Sequence, residues 1–267
     1  MSINLISAFP GFYLRAVTQY QLHSPFVYAL VRAVLEDRRC YYAFDDIEML
    51  RHRLMMGHET VVYDDPGART GKHERRISEI ARTSASSPRQ GRRLFRLAQW
   101  LKPGRMIELG ASLGFGSAYL AAGGQPGRLD TIEGAEPLAH IAALNLEWLK
   151  LDNAKVYAGN FDHILPEVLR NGDTPDLIFF DGNHRAEPTM AYFETCLKYS
   201  GEKTLFVFDD VHWSAEMESV WKLLRQHPRV TMSIDLLDFA VLSTDPAFMV
   251  KQHFCVVPAM WKPWKFW

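Results

Sequence analysis

Two rhythms of apolar and polar residues divide the chain. In HSPFVYALVRAVLED, residues 23–37, Phe26, Val27, Leu30, Val31, Val34 and Leu35 recur at helical spacing, so one face of a helix is apolar. Ser24 suits its N-cap and Pro25 its first position. A second, shorter helix is expected after Asp45, with Ile47, Leu50 and Leu54 turned inward. YDDPGARTGKH, residues 63–73, has the Pro, Gly and Asp content of a mobile loop. From Ser87 the pattern changes. SPRQGRRLFRLAQWLKPG reads as a helix with a capping box of Ser87 and Gln90, Pro88 at its first position and a stop at Lys102-Pro103-Gly104. Short apolar runs then predict strands at 105–109, 128–132, 154–157, 177–180 and 204–208. Helical stretches are expected at 117–122, 137–149, after Phe161, at 189–199 and at 215–226. Three late strands, at 230–236, 239–243 and 253–257, complete an antiparallel edge. Such alternation implies an α/β, Rossmann-like, doubly wound and mostly parallel sheet with an antiparallel edge, preceded by an N-terminal helical segment. The expected division is a helical cap over 1–85 and a catalytic domain over 86–267.

Composition narrows the function classes. A formal net charge of −1 recommends neither nucleic acid nor an anionic membrane as partner. Cys40, Cys196 and Cys255 are scattered with no C-x-x-C pair, which fits a reducing cytoplasm and disfavours structural zinc. The opening MSINLISAFPGFYLR lacks a basic leader, its apolar run is broken by Pro10, and no run reaches the ~18 apolar residues of a membrane span. Arg69, Arg75, Arg76, Arg82, Arg89, Arg92, Arg93 and Arg96 crowd one stretch. Most read as solvated helix faces, with the alternative that some hold an acidic substrate group. The tail WKPWKFW is more aromatic than an ordinary solvated end, although a frayed terminus is the plain reading.

Chemistry is concentrated at the ends of the predicted strands. MIELGASLGFGSAYL is a strand, a glycine turn and a helix start, an arrangement that aims backbone N–H groups and a helix dipole at a ligand. Gly110, Gly114 and Gly116 give G-x-x-x-G-x-G, not the G-x-G-x-x-G that brings backbone against a dinucleotide pyrophosphate. Glu133 ends the next strand, where a carboxylate can take both ribose hydroxyls of an adenosyl group. Glu108 adds negative charge suited to a cationic ligand.

At these residues the chain resembles the class I S-adenosylmethionine-dependent methyltransferases. The resemblance covers Ser87 to about Gln226 and rests on an ordered set: ELGASLGFGS, Glu133, GNF at 159–161, and DLIFFDGNH. It implies that Glu108, Gly110, Ser112, Gly114, Gly116, Ser117, Glu133, Gly134, Gly159, Asn160, Phe161 and Asp181 bind the cofactor. SPRQG, DGNH and DDVHW narrow the likeness to the cation-dependent O-methyltransferases of the catechol and caffeoyl-CoA type and their bacterial relatives. In those, an aspartate after the fourth strand and an Asp-Asn or Asp-Asp pair after the fifth bind magnesium, so Asp181, Asp209 and Asp210 are the implied ligands of Mg²⁺ or Mn²⁺. Two departures stand out. Asp210 replaces the usual asparagine, which a hard cation accepts. His184 stands where a catalytic lysine is usual.

The resemblance implies methylation of a hydroxyl on a small-molecule acceptor; a cytoplasmic enzyme, with a homodimer as one association state, is expected. His184, three residues after Asp181, is the first candidate base because of its intrinsic pKa, and His212 is the second. Each also suits a loop histidine bonded to backbone. Asp209 and Asp210 also suit a cap and dipole partner of the following helix. Trp213 is expected at a pocket wall. Rival readings are a nicotinamide-dependent oxidoreductase, a metal-independent methyltransferase on another acceptor, and a non-catalytic cofactor-binding protein. DGNH stands where amino-group methyltransferases of nucleic acid carry Asn/Asp-Pro-Pro-aromatic, which speaks against that substrate.

Overall fold

From Ser87 on, the chain adopts the expected alternation of helix and strand. The structure, a computed structural model, describes residues 3–65, 69–83 and 86–265, with the side chains of 3–8, 65, 69, 70 and 265 left aside. The first part comprises α1 (Ile3–Arg15), α2 (Pro25–Val34), α3 (Tyr42–Met56), β1 (Thr60–Asp65), β2 (Arg69–Arg76) and α4 (Ile77–Thr83). The second comprises α5 (Pro88–Leu101), β3 (Arg105–Leu109), α6 (Phe115–Gly124), β4 (Arg128–Glu133), α7 (Glu136–Trp148), β5 (Ala154–Ala158), α8 (Phe161–Arg170), β6 (Leu177–Phe180), α9 (Ala186–Leu197), β7 (Leu205–Asp209), α10 (Ala215–Gln226), β8 (Met232–Asp235), β9 (Phe239–Ser243) and β10 (Gln252–Cys255).

Eight strands form one sheet in the order β10-β8-β9-β7-β6-β3-β4-β5. Every residue of β3, β6 and β7 is buried, the continuous apolar signature of strands covered on both faces. The antiparallel strand lies further in than the edge: β9 runs antiparallel between β7 and β8, while the outermost β10 is parallel to β8. Val17 bridges Val256 just beyond β10, so the N-terminal part of the chain covers backbone that an edge strand would expose.

In the first third, Ser24 accepts from the Val27 N–H as an N-cap should. α3 is longer than expected, beginning at Tyr42, with Phe44, Ile47 and Leu50 buried and Leu54 partly so. The stretch read as a mobile loop is instead the antiparallel hairpin of β1 and β2. Its Pro66, Gly67 and Ala68 lie outside the described residues; the flanking Tyr63 and Val61 alternate inward, a period that the dense turn residues hid. The tail is tied down as well: Lys262 is buried, its Nζ donates to Ala16 O at 2.7 Å and stacks over Tyr13. Phe266 and Trp267 lie outside the described residues. Among these residues no helix is long and apolar enough to cross a membrane.

Several arginines expected to be solvated are structural. On α5, Arg89 and Arg93 both pair with Asp238 in the β8–β9 turn, and Arg92 and Arg96 lie over the Phe44 ring. Arg69 has a side chain outside the description. Arg93 is buried and Arg89 is largely exposed, so the two pairs differ in weight. Asp238→Ala leaves a buried guanidinium uncompensated and is expected to lower the unfolding free energy by about 3–5 kcal/mol. Arg89→Ala should cost no more than about 1 kcal/mol. Urea denaturation of both variants checks the contrast.

Candidate active site

A cleft of about 970 Å³ opens where the carboxyl ends of β3, β4, β6 and β7 meet, on the side where the sheet order turns from β4 to β6 across β3. Such switch points are where open α/β sheets bind ligands. The glycine turn after β3 forms one wall. Gly110 has φ 102°, and a Cβ there would stand 2.5 Å from the Asp181 carbonyl oxygen, so only glycine lets β3 and the segment after β6 approach this closely. Gly114, at φ 83°, precedes α6. Gly116 lines the cleft, and a Cβ there would sit 2.7 Å from Glu108 Oε1.

Glu133 is set in place by backbone. Its Oε2 accepts from the Ser112 N–H at 2.7 Å and its Oε1 from the Ala135 N–H at 2.9 Å. Both bonds orient the carboxylate at the cleft wall beside Gly134. Asn160 also lines the cleft and caps α8, its Oδ1 accepting from the Asp162 N–H at 2.8 Å. Phe161 lines the cleft and its ring packs T-shaped against Tyr192, the centroids 5.7 Å apart. Gly159, at φ 139°, makes the turn into Asn160 but does not itself line the cleft. Ser112, Asn183 and Asp210 adopt positive φ without being glycine, and all three line the cleft. Backbone strain of this kind costs about 1–3 kcal/mol and gathers at functional sites.

Asp181, Asp209 and Asp210 share the cleft with His184 and Trp213. Asp209 Oδ1 accepts from Gln90 Nε2 at 2.5 Å and from the Asp210 N–H at 2.8 Å. Burial pushes the Asp181 carboxyl well above the usual range, reinforced by the charge and hydrogen bond of Asp209 and the charges of Asp210 and Glu108. Burial and the Asp209 charge raise Asp210 to about 7. Three carboxylates lining one cleft are the donor chemistry of a hard-cation site. Among the described residues, no three His, Cys, Asp or Glu side chains are gathered closely enough to hold a metal ion. The donor chemistry therefore fits, while a closed ligand set is not formed.

The alternative that these aspartates cap the next helix is overturned, because Ser214 caps α10 by accepting from the Met217 N–H. His212 is also placed differently from the expectation. It does not line the cleft; it is buried, Nε2 is 2.9 Å from Asp235 Oδ2, and its ring meets Phe12 edge-on. Burial alone would lower its pKa, but Asp235 and Glu218 together raise it. A histidine turned to the far side of its loop anchors that loop and is too remote to accept an acceptor's proton.

The comparisons with known proteins agree with this geometry. A family profile described as a methyltransferase domain matches residues 107–211. A catechol O-methyltransferase of Mycobacterium tuberculosis is 30% identical over 154 residues, 57% of this chain and 68% of that protein. The chain belongs to the class I S-adenosylmethionine-dependent O-methyltransferases. A catechol O-methyltransferase of Niastella koreensis is 34% identical over 128 residues, 47% of this chain; the match spans 57% of that relative's length. The O-methyltransferase TomG of Streptomyces achromogenes, solved in complex with SAM, is 26% identical with a TM-score of 0.53, covering 60% of this chain and 82% of that one. An O-methyltransferase from Bacillus cereus, solved with SAH, shares the fold at 20% identity and a TM-score of 0.55, covering 87% and 99%.

Within the methyltransferase, two expected cofactor residues sit behind the cleft wall. Ser117 Oγ donates to Glu108 Oε2, which also accepts from Thr131 Oγ1 at 2.7 Å, and Glu108 is fully buried. Burial raises Glu108 to about 7 against the lowering pull of those two hydroxyls, with the Glu133 charge adding to the rise. Its Oε1 has no hydrogen-bond partner. Gln90 was legible only as half of a capping box. Ser87 does cap α5, but the Gln90 side chain reaches Asp209 across the cleft, and nothing in the local sequence signals that contact. Tyr63, in the supposed loop, and Arg75, among the clustered arginines, line the cleft too.

Glu108 generates a pH prediction. A carboxyl whose folded pKa is raised contributes fully below its unfolded pKa, and that contribution is lost as pH rises through the folded one. From the ordinary 4.5 to about 7, the wild type should lose roughly 3 kcal/mol of stability, and Glu108→Gln should show a flatter profile over that window. Denaturant midpoints at several pH values measure both.

Proposed function

We propose that the cleft transfers a methyl group from S-adenosylmethionine to a hydroxyl of a small-molecule acceptor, with a divalent cation assisting. The observation that carries this reading is the pairing of the Gly110 turn and its backbone-fixed Glu133 with the three carboxylates across the same cleft. When bound, S-adenosylmethionine supplies an electrophilic methyl carbon on a positively charged sulfur. Glu133 holds the ribose hydroxyls by charge-assisted hydrogen bonds. Gly110 and Gly116 keep the turn tight against the Asp181 segment and Glu108, and the buried Glu108, whose Oε1 has no hydrogen-bond partner, stands behind Gly116. The two catechol O-methyltransferase relatives favour an ortho-diol as acceptor.

Displacement at the methyl carbon is in line, so the protein's task is alignment and proton removal. His184, which lines the cleft, would take the proton released by the attacking hydroxyl of the acceptor. Trp213, half exposed beside the aspartates, offers a flat face to the acceptor. Asp181, Asp209 and Asp210 would hold Mg²⁺ or Mn²⁺, whose chemistry is to lower the hydroxyl pKa and fix its direction. Gln90 keeps one oxygen of Asp209 occupied and so orients the other. The reading includes a helical and hairpin cap over 1–85, a catalytic domain over 86–267, an association state of one or two copies, and a reducing cytoplasm in which the three cysteines stay unpaired.

Four measurements test the reading. Calorimetry with SAH should show binding by the wild type, weakened by about 1.5–3 kcal/mol in Glu133→Ala; equal affinity in the two proteins would remove Glu133 from the site. With catechol as acceptor, His184→Ala should lose roughly 10²–10⁴-fold in turnover, and near-normal turnover would pass the proton to water. For the cation, chelator should abolish turnover and Mg²⁺ or Mn²⁺ restore it. Direct Mn²⁺ titration should show weaker binding by Asp209→Asn with SAH affinity unchanged. Full turnover in excess chelator would end the cation's part.

A further inference from the structure

The β1–β2 hairpin belongs to the cleft, and the pairing of its strands shows what it contributes. Val61 pairs with Arg75 and Tyr63 with His73, and residues directly opposite in a ladder share a face. Val61 and Tyr63 are buried, whereas Val62 and its partner Glu74 are exposed. Arg75 therefore lies on the inward face, and it lines the cleft together with Tyr63.

Arg75 is also held in a definite direction. Its Nη2 donates to Thr83 Oγ1 at 3.1 Å, and that hydroxyl donates to Glu79 O at 2.8 Å, which turns an oxygen lone pair toward the guanidinium. Thr83 lines the cleft as well. The surrounding charge is of the opposite sign: Glu133, Asp162, Asp181, Glu187, Asp209 and Asp210 all line the cleft. Any anionic group of a ligand is repelled by that wall and drawn to the arginines, which among the described lining residues are Arg75 and Arg185. Arg185 is exposed, at the N-cap of α9; Arg75 is the half-buried one, where a charge-assisted bond is strongest.

We propose that Arg75, steered by Thr83, is a carboxylate-binding residue of this cleft. The fork of a guanidinium matches a carboxylate with two parallel hydrogen bonds. The inference rests on the methyltransferase reading above, and the carboxylate has two possible sources: the amino-acid end of the cofactor, or an acidic arm on the acceptor.

The experiment compares wild type, Arg75→Gln and Arg75→Lys by calorimetry. One arm measures SAH against 5′-methylthioadenosine, which keeps the adenosine and sulfur but lacks the amino-acid end. The other measures 3,4-dihydroxybenzoate against catechol with SAH present. If the cofactor supplies the carboxylate, Arg75→Gln weakens SAH by about 10- to 100-fold and leaves 5′-methylthioadenosine unchanged, with Arg75→Lys in between. If the acceptor supplies it, the same loss falls on dihydroxybenzoate alone. Unchanged affinity for 5′-methylthioadenosine also reports that the variant is folded. Equal losses on all four ligands, or no loss on any, would overturn the proposal. A wild type that binds neither nucleoside refutes the cofactor reading instead, and the diol arm, repeated without SAH, then decides Arg75 separately.

Discussion

The cleft depends on one close approach of backbone to backbone, between Gly110 after β3 and Asp181 after β6. The Asp181 N–H donates to Leu109 O and the Gly110 N–H to Ile132 O, both at 2.8 Å. These two bonds splice three strand ends together just beyond the sheet. With a side chain at 110 the strands would have to separate, and the glycine turn would no longer face the Asp181 loop. The distance between the part of the cleft that holds Glu133 and the part that holds the aspartates is thereby fixed by main chain, which is stiffer than any side-chain contact.

Around this splice the protein gathers several carboxylates in wholly or partly buried positions. Glu108, Asp181 and Asp210 are all pushed upward, with burial the largest cause in each case. Such an arrangement is unfavourable for the empty protein and favourable for a ligand that brings positive charge. Stability and ligand affinity are therefore drawn from the same groups. The helices that frame the site compensate elsewhere: α5 is fastened to the β8–β9 turn through Asp238, and the DDVHW loop is anchored from behind by His212 and Asp235. Each fastening lies one turn or one strand from an aspartate.

What the sequence reveals and what it hides follow from the range of the forces involved. β3 to β7 and the helices between them were legible because period and capping are local. Glu133 and the glycine turn were legible because their spacing along the chain is itself the geometry. Gln90 was misread, since its partner is 119 positions away and a glutamine three residues after a serine already has a local explanation. His212 was misread for the reverse reason: DDVHW places it beside the aspartates in sequence, yet the loop turns its ring toward Phe12. The hairpin was missed because proline, glycine and aspartate at its tip dominate the composition, although Val61 and Tyr63 alternate correctly.

The tie between the two ends of the chain bears on how the molecule is made. Tyr13 donates to Trp261 O across 248 positions, and Val17 reaches its place only beside Val256. During synthesis α1 emerges well before the surface it packs on, with 248 positions between Tyr13 and Trp261. Until then Phe12 on α1 and Ala16 just after it lack their native partners. Contacts of such long sequence separation are closed late and slowly, so the sheet and the glycine turn can be in place before the outer edge is sealed. The nascent chain thus passes through a stage in which the cleft is assembled while the helix meant to cover the far end of the sheet is still searching, a stage open to chaperones and proteases.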